Sequence, residues 1–247
     1  MNKICGNNFM IDASYCCGKF GFSNDDGHIY IVSESGNLIK KLKVGKEYST
    51  AITVTSDGFL ACGGTSIDGN KCGFFDFDGI NLWNIDVGEV NNGPSHYQDY
   101  WYVADVDREE LLIVKDGMVI KQKKFDVDVK DTAICGNYLA VVTPFQLYLY
   151  DLSNPEDPRE IWSKEAFEEA SQVAFSQYCG HIAVGDVETF KLKIYGIKGN
   201  SVLEKNFDAG VSSVAWWKRR IAVGLDNGKI YVYETFSPSL KFASFGI

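Results

Sequence analysis

Six times along the chain a short apolar run, a polar turn rich in Gly, Asp and Asn, and a second alternating run recur in the same order. The clearest copies are RIAVGLDNGKIYVYE (Arg220 to Glu234) and KFGFSNDDGHIYIVS (Lys19 to Ser33), near opposite ends. Anchoring on the first residue of each second run gives Ile29, Cys72, Leu111, Leu147, Leu192 and Ile230. The spacings are 43, 39, 36, 45 and 38 residues. Repetition at roughly 40–45 residues is the period of a four-stranded propeller blade, a unit that buries its faces only by stacking on its neighbours. Six copies predict six blades.

The other strands follow by register. Turns such as Ser35-Gly36, Asp78-Gly79, Asp116-Gly117 and Gly199-Asn200 come after the anchored runs. Gly and Asn tolerate the positive φ of tight hairpins, so each turn leads into another strand. These outermost runs are NLIKKLKVG, INLWNIDVG, MVIKQKKF, NSVLEKNF and SLKFASF, with no clear fourth copy. Innermost strands are expected in FMIDASY, STAITVT, PSHYQDY, VKDTAIC, SQVAFSQ and VSSVAWW. Since SLKFASF completes the last blade, Met1 to Asn8 is left as an extra edge strand or a loose tail.

Pro155 to Ser171 (PEDPREIWSKEAFEEAS) departs from the pattern. It is rich in Glu, Ala and Lys, Ser163 suits a helix N-cap, and Ala166, Phe167 and Ala170 share one face at helical spacing. The expected fold is therefore all-β. It is a single six-bladed β-propeller domain over residues 1–247, with four-stranded antiparallel blades and a short helical insertion between blades four and five.

A formal net charge of −9 argues against general nucleic-acid binding, which needs a basic surface to neutralise phosphates. Three basic runs, Lys40 to Lys46, Lys121 to Lys124 and Lys218 to Arg220, are read as charge that blocks edge-to-edge strand pairing. No window approaches the roughly 18 apolar residues of a membrane span. The start MNKICGNNFM lacks a secretory core, so no membrane association and a cytoplasmic location are expected.

Seven cysteines are present, none in a C-x-x-C pair, which gives little support to a structural zinc site. Cys62 and Cys72 oppose each other across the blade-two hairpin, within reach of a disulfide. The preferred reading is that most cysteines are small buried hydrophobes.

Polar residues on the innermost strands are the first binding candidates, because those strands line a propeller's channel. They are Asp12, Thr50, His96, Asp131, Gln172 and Ser213, one per blade. Such a ring suits a cation or an organic ligand; no metal or cofactor is specified by any motif. The nucleophile elbow, the zinc helix and the phosphate loop are all missing. Acidic residues near turns, Asp25, Asp26, Asp126, Asp128 and Asp186, are first of all turn residues. Trp101, Trp216 and Trp217 are contact candidates, with inter-blade packing expected for at least two of them.

RIAVGLDNGKIYVYE, HIAVGDVETFKLKIYGIKGN and CGFFDFDGINLWNIDVG resemble blades of the WD40 and PQQ-like (quinoprotein-type) β-propeller superfamily. The resemblance spans nearly the whole chain and implies blade packing. The Trp-Asp dipeptide of WD40 blades is missing, and a Trp after the turn is read only at Trp83, so quinone binding is not implied. The functional expectation is a non-catalytic platform for a protein partner. The alternative is a metal-dependent hydrolase similar to six-bladed lactonases, with a cation on Asp12, Asp131 and Gln172.

Overall fold

The computed structural model describes residues 10–65, 69–235 and 242–245. Blade one runs β1 (Met10–Cys16), β2 (Lys19–Asn24), β3 (His28–Ser33) and β4 (Leu38–Lys43). Blade two is β5 (Tyr48–Val54), β6 (Phe59–Thr65), β7 (Gly69–Phe75) and β8 (Asn81–Val87). Blade three is β9 (Ser95–Tyr97), β10 (Tyr100–Asp105), β11 (Glu110–Lys115) and β12 (Met118–Lys124). Blade four is β13 (Asp131–Cys135), β14 (Tyr138–Val142), β15 (Gln146–Asp151) and β16 (Arg159–Glu165). Blade five is β17 (Ala170–Phe175), β18 (His181–Asp186), β19 (Lys191–Gly196) and β20 (Ser201–Asn206). Blade six is β21 (Val211–Trp217), β22 (Arg220–Leu225), β23 (Ile230–Thr235) and β24 (Phe242–Phe245). Within each sheet, neighbours follow chain order and pair antiparallel. The fold is an all-β six-bladed propeller. Blades one to three fall in the compact unit Met1–Asp128 and blades four to six in the unit Val129–Ile247.

Burial follows position in the blade. The second strand of blade three, β10, is buried at every residue, whereas its outermost strand, β12, is almost wholly exposed. Middle strands are covered on both faces by neighbouring sheets, which is why they read as continuous apolar runs. In the first unit, Ile29, Ile31, Ile52, Val54 and Phe59 form a core joining blades one and two. Ala51, Leu60, Trp101, Val103 and Leu112 join blades two and three. In the second unit, Val142, Leu149, Val173 and Val184 join blades four and five. Ile194, Val211, Ile221 and Val223 join blades five and six. Each fully buried aliphatic side chain contributes roughly 1.5–3 kcal/mol, so these four layers hold the blades together.

The expected helix is overturned. Among the described residues there is no helix, and the Glu-rich segment supplies the missing outermost strand of blade four. Ser163, read as a helix cap, pairs with Tyr148 in the β15–β16 ladder. Helix propensity amounts to fractions of a kcal/mol per residue. Here it loses to a ladder that satisfies the backbone of β15, and to Trp162. That indole packs under the left-handed turn residue Gly199 of blade five and donates from Nε1 to the Ile197 carbonyl at 2.9 Å. Trp83 does the same job in blade two, packing against Gly117 in the outer turn of blade three. Tryptophan after the turn thus occurs in two blades rather than one. At both glycines φ is positive and a Cβ would press on the indole, so turn and tryptophan are matched.

The outer-strand lysines meet groups of their own sheet and of the next blade. Lys40 donates to the Asp78 carbonyl, Lys41 lies over the Tyr30 ring at 5.2 Å, and Lys124 pairs with buried Glu110 at 3.0 Å. Among the described residues, no helix is long and apolar enough to cross a membrane. Blade six receives its outer strand from its own chain segment through β23–β24 pairing. Met1 to Asn8 lies outside the described residues.

Trp162→Ala is expected to cost about 2–3 kcal/mol of unfolding free energy, from lost packing and an unpaired Ile197 carbonyl. Ser163→Ala is expected to stay within about 0.5 kcal/mol, where loss of a helix cap would cost about 1. Urea denaturation of both variants checks the pair.

Candidate functional site

The six positions marked from sequence all fall on the first strand of their sheet: β1, β5, β9, β13, β17 and β21. A first strand is paired on one side only, so its other edge presents N–H groups that need partners. In three of the six, the marked side chain supplies them to the next blade. Asp12 Oδ2 accepts from Ile52 N at 2.9 Å. Asp131 Oδ2 accepts from Val173 N at 2.9 Å, and Gln172 Oε1 accepts from Val214 N at 3.1 Å. The remaining oxygens of the two aspartates accept from their own successors, Ala13 N at 2.7 Å and Thr132 N at 2.8 Å. Ser14 repeats the link by accepting from Val54 N at 3.0 Å.

The other three make no such link among the described residues. Thr50 sits at the bulge of β5 and lines a cavity. His96 is exposed and packs its ring on Trp101, centroids 4.4 Å apart. Ser213 follows the bulge of β21 and faces Gly224 of the partner strand. Bulges interrupt β1, β5, β17 and β21 near their starts, where the extra residue re-aims a side chain.

Of the tryptophans, Trp101 is core, tilted against Phe74 and edge-on to Trp83. Trp216 is half-buried against the blade five–six core. Trp217 points the other way, 61% exposed, with Lys218 Nζ 4.2 Å from its ring centre.

Asp186 turns out to be a turn anchor. Its carboxylate accepts from Thr189, Glu168 and Glu169 N–H groups at 3.1, 3.3 and 3.4 Å, with Lys193 Nζ at 3.8 Å. Burial alone would raise its pKa, but these donors outweigh burial and leave it below the usual value. Asp105 occupies the same place in blade three, accepting from Gly88 N at 2.8 Å. There burial wins over Gly88 and Arg108, and the carboxyl is raised.

The site that sequence reasoning missed lies in the first unit. A cavity of about 340 Å³ is lined by Asp25, Thr50, Tyr48, Asn70, Glu89 and Asp107, with Ile11 as an apolar wall. These residues come from the turn after β2, from β1, β5 and β7, and from the loops after β8 and β10. Tyr48 Oη donates to Asn70 Oδ1 at 2.6 Å, and Asn70 Nδ2 donates to the Gly88 carbonyl at 2.9 Å, fixing one side. The carboxylates of Asp25, Glu89 and Asp107 have no hydrogen bond or ion pair among the described residues. The signal in the sequence was positional and partial: Asp25 and Asp107 both follow second strands, β2 and β10, whereas Glu89 follows the outermost strand β8. A second cavity, about 460 Å³, is walled by Gly45, Gly63 and Gly64 and carries Lys46 and Lys71. Among the described residues, no three His, Cys, Asp or Glu side chains gather as a metal-binding group.

Two disulfides correct the reading of the cysteines as mainly buried hydrophobes. Cys62 and Cys72 are register partners across β6–β7, Cα atoms 4.1 Å apart, and are bonded. Cys135, at the end of β13, is bonded to Cys179 in the turn before β18, tying blade four to blade five. No spacing cue marks that second bond, because it joins two different repeats.

No family model and no curated protein matches the chain. Solved structures do. One chain in the crystal structure of the mitotic checkpoint complex aligns at a TM-score of 0.81 and 12% identity. That alignment covers 95% of this chain and 77% of the other. The computationally designed protein Ika8 aligns at 0.73, also at 12% identity, covering 96% of this chain and 74% of that one. The likeness is one of fold, a β-propeller.

Burial pushes the Asp12 carboxyl from 3.8 up to about 6, against the N–H groups of Ile52, Ala13 and Gly93 that favour its charged form. The folded state therefore holds this proton more tightly than the unfolded chain. The stabilisation is complete below the unfolded value near 3.8 and is lost as pH rises through about 6. Relative to Asp12→Asn, the unsubstituted protein is expected to lose on the order of 1–3 kcal/mol across that window, read by urea denaturation at several pH values. Replacing Cys135 and Cys179 together by Ser opens a loop of separation 44 and is expected to cost roughly 2–4 kcal/mol, read as a fall in denaturation midpoint.

Proposed function

We propose that the chain is a single propeller domain over residues 1–247 acting as a non-catalytic platform, and that the cavity of Asp25, Glu89 and Asp107 receives a basic segment of a protein partner. The observation that carries this reading is the set of three carboxylates without a partner among the described residues, in one cavity. A Lys or Arg side chain fits such a place. Its charge meets the carboxylates, while its aliphatic stem lies along Ile11 and the Tyr48 ring. The same charge, and the net −9 of the chain, repel phosphate and argue against a nucleic-acid ligand. The neighbour in the mitotic checkpoint complex supports the platform reading by fold only.

The hydrolase alternative has less behind it. Asp12, Asp131 and Gln172 already accept hydrogen bonds from main-chain N–H groups, which uses oxygen lone pairs that a cation would need. As to location, the two disulfides suit an oxidising compartment, or the interior of a hyperthermophile, rather than an ordinary reducing cytosol. That weighs against the cytoplasmic expectation.

A fluorescent peptide alternating Lys and Arg with Gly and Ser is the probe. Binding is expected to weaken steeply with salt, and Asp25→Asn/Glu89→Gln/Asp107→Asn is expected to weaken it at least about tenfold, or 1.4 kcal/mol. Neutralising three other exposed acids, Asp126, Glu165 and Glu188, is the control. An equal loss there would reduce the effect to net charge and end the proposal.

A further inference from the structure

We propose that Cys16 and Cys17 form a redox modification site, a vicinal dithiol that a low-molecular-weight disulfide closes into a Cys16–Cys17 disulfide. Successive residues of a strand point to opposite faces, so adjacent cysteines ordinarily diverge. Here they do not. Cys16 ends β1, and Cys17 opens the hairpin turn in the left-handed region at φ 53°, followed by Gly18 at φ 80°. The turn brings the two sulfurs to 2.7 Å, with both thiols free. That is close contact for two sulfur atoms, short of the ~2.05 Å of a bond.

The repeat supports the placement. Counting back from the second strand of each blade, Cys16 stands where Cys135 stands in blade four, and Cys17 where Cys179 stands in blade five. Those two positions are bonded to each other between adjacent blades. In blade two the place corresponding to Cys179 is Asp57, so the register offers Cys16 no cysteine there. Its sulfur partner is its own neighbour. Surroundings that keep Cys62–Cys72 and Cys135–Cys179 oxidised also supply the oxidant for this pair.

Exposed Cys17 reacts first. Its thiolate attacks one sulfur of the oxidant's disulfide, that S–S bond breaks, and the first thiol departs with the proton Cys17 gave up. Cys16, half-buried, then loses its proton and attacks Sγ of Cys17, breaking the mixed disulfide and releasing the second thiol. Two protein thiols and one disulfide become one protein disulfide and two small thiols.

The test uses the full chain, mildly reduced so that only accessible thiols are free, with oxidised glutathione as the probe. Cys5, Cys16 and Cys17 lie between Lys3 and Lys19 and so share one tryptic peptide, which makes Cys5→Ser the background for mapping. The expected result is loss of two hydrogens in mass with no retained glutathione, a Cys16–Cys17 cross-link in the map, and loss of both from alkylation. Cys17→Ser on that background is expected to lose the cross-link. Glutathione held on either sulfur, a bond from either to another cysteine, or full alkylation after oxidation overturns the proposal.

Discussion

Each blade begins with a strand that is paired on one side only, and the buried N–H groups on its open edge have to be satisfied. The structure answers with side chains from the preceding blade: Asp12 and Ser14 for Ile52 and Val54, Asp131 for Val173, Gln172 for Val214. An orphaned buried donor costs about 1–3 kcal/mol, so these contacts set register between sheets that otherwise meet only through non-directional apolar packing. Valine and isoleucine fill the layers. The polar residues decide how the layers are aligned.

The same demand accounts for the carboxylates elsewhere. Asp186 and Asp105 stand at equivalent turns, each wholly buried, yet their pKa values move in opposite directions. At Asp186 the backbone N–H groups of Thr189, Glu168 and Glu169 outweigh burial; at Asp105 burial wins over the N–H groups of Gly88 and Arg108 and the Arg108 charge, and the Glu110 carboxylate adds to the rise. Asp25, Glu89 and Asp107 are acidic in the same kinds of loop but have no such duty among the described residues. Carboxylates that the backbone does not need are the ones available to a partner, and that contrast separates the proposed site from the scaffold.

Much of the architecture was readable before any coordinate. The anchors Ile29 to Ile230 mark the third strands, and the apolar runs before them mark the second, because strands covered on both faces must be apolar throughout. The fourth blade shows the limit. Ala166, Phe167 and Ala170 fit a helical face as well as they fit a connection, and only the pairing of Arg159–Glu165 with β15 decides between them. Trp162 was hidden by the same misreading. The candidate ring was legible as positions on the first strands, but not as linkers, since nothing in Asp12 or Gln172 says which backbone lies 40 or 42 residues away.

The sequence by itself determined the period, the number of blades and the order of the inner three strands of each blade. Those follow from local alternation, turn chemistry and the need of every sheet for a neighbour. Tertiary structure alone decided which cysteines are bonded, which acids are consumed by backbone donors, and which carboxylates share a cavity. Such outcomes depend on distances between residues of different repeats, and a periodic sequence makes equivalent positions look alike until packing brings particular pairs together.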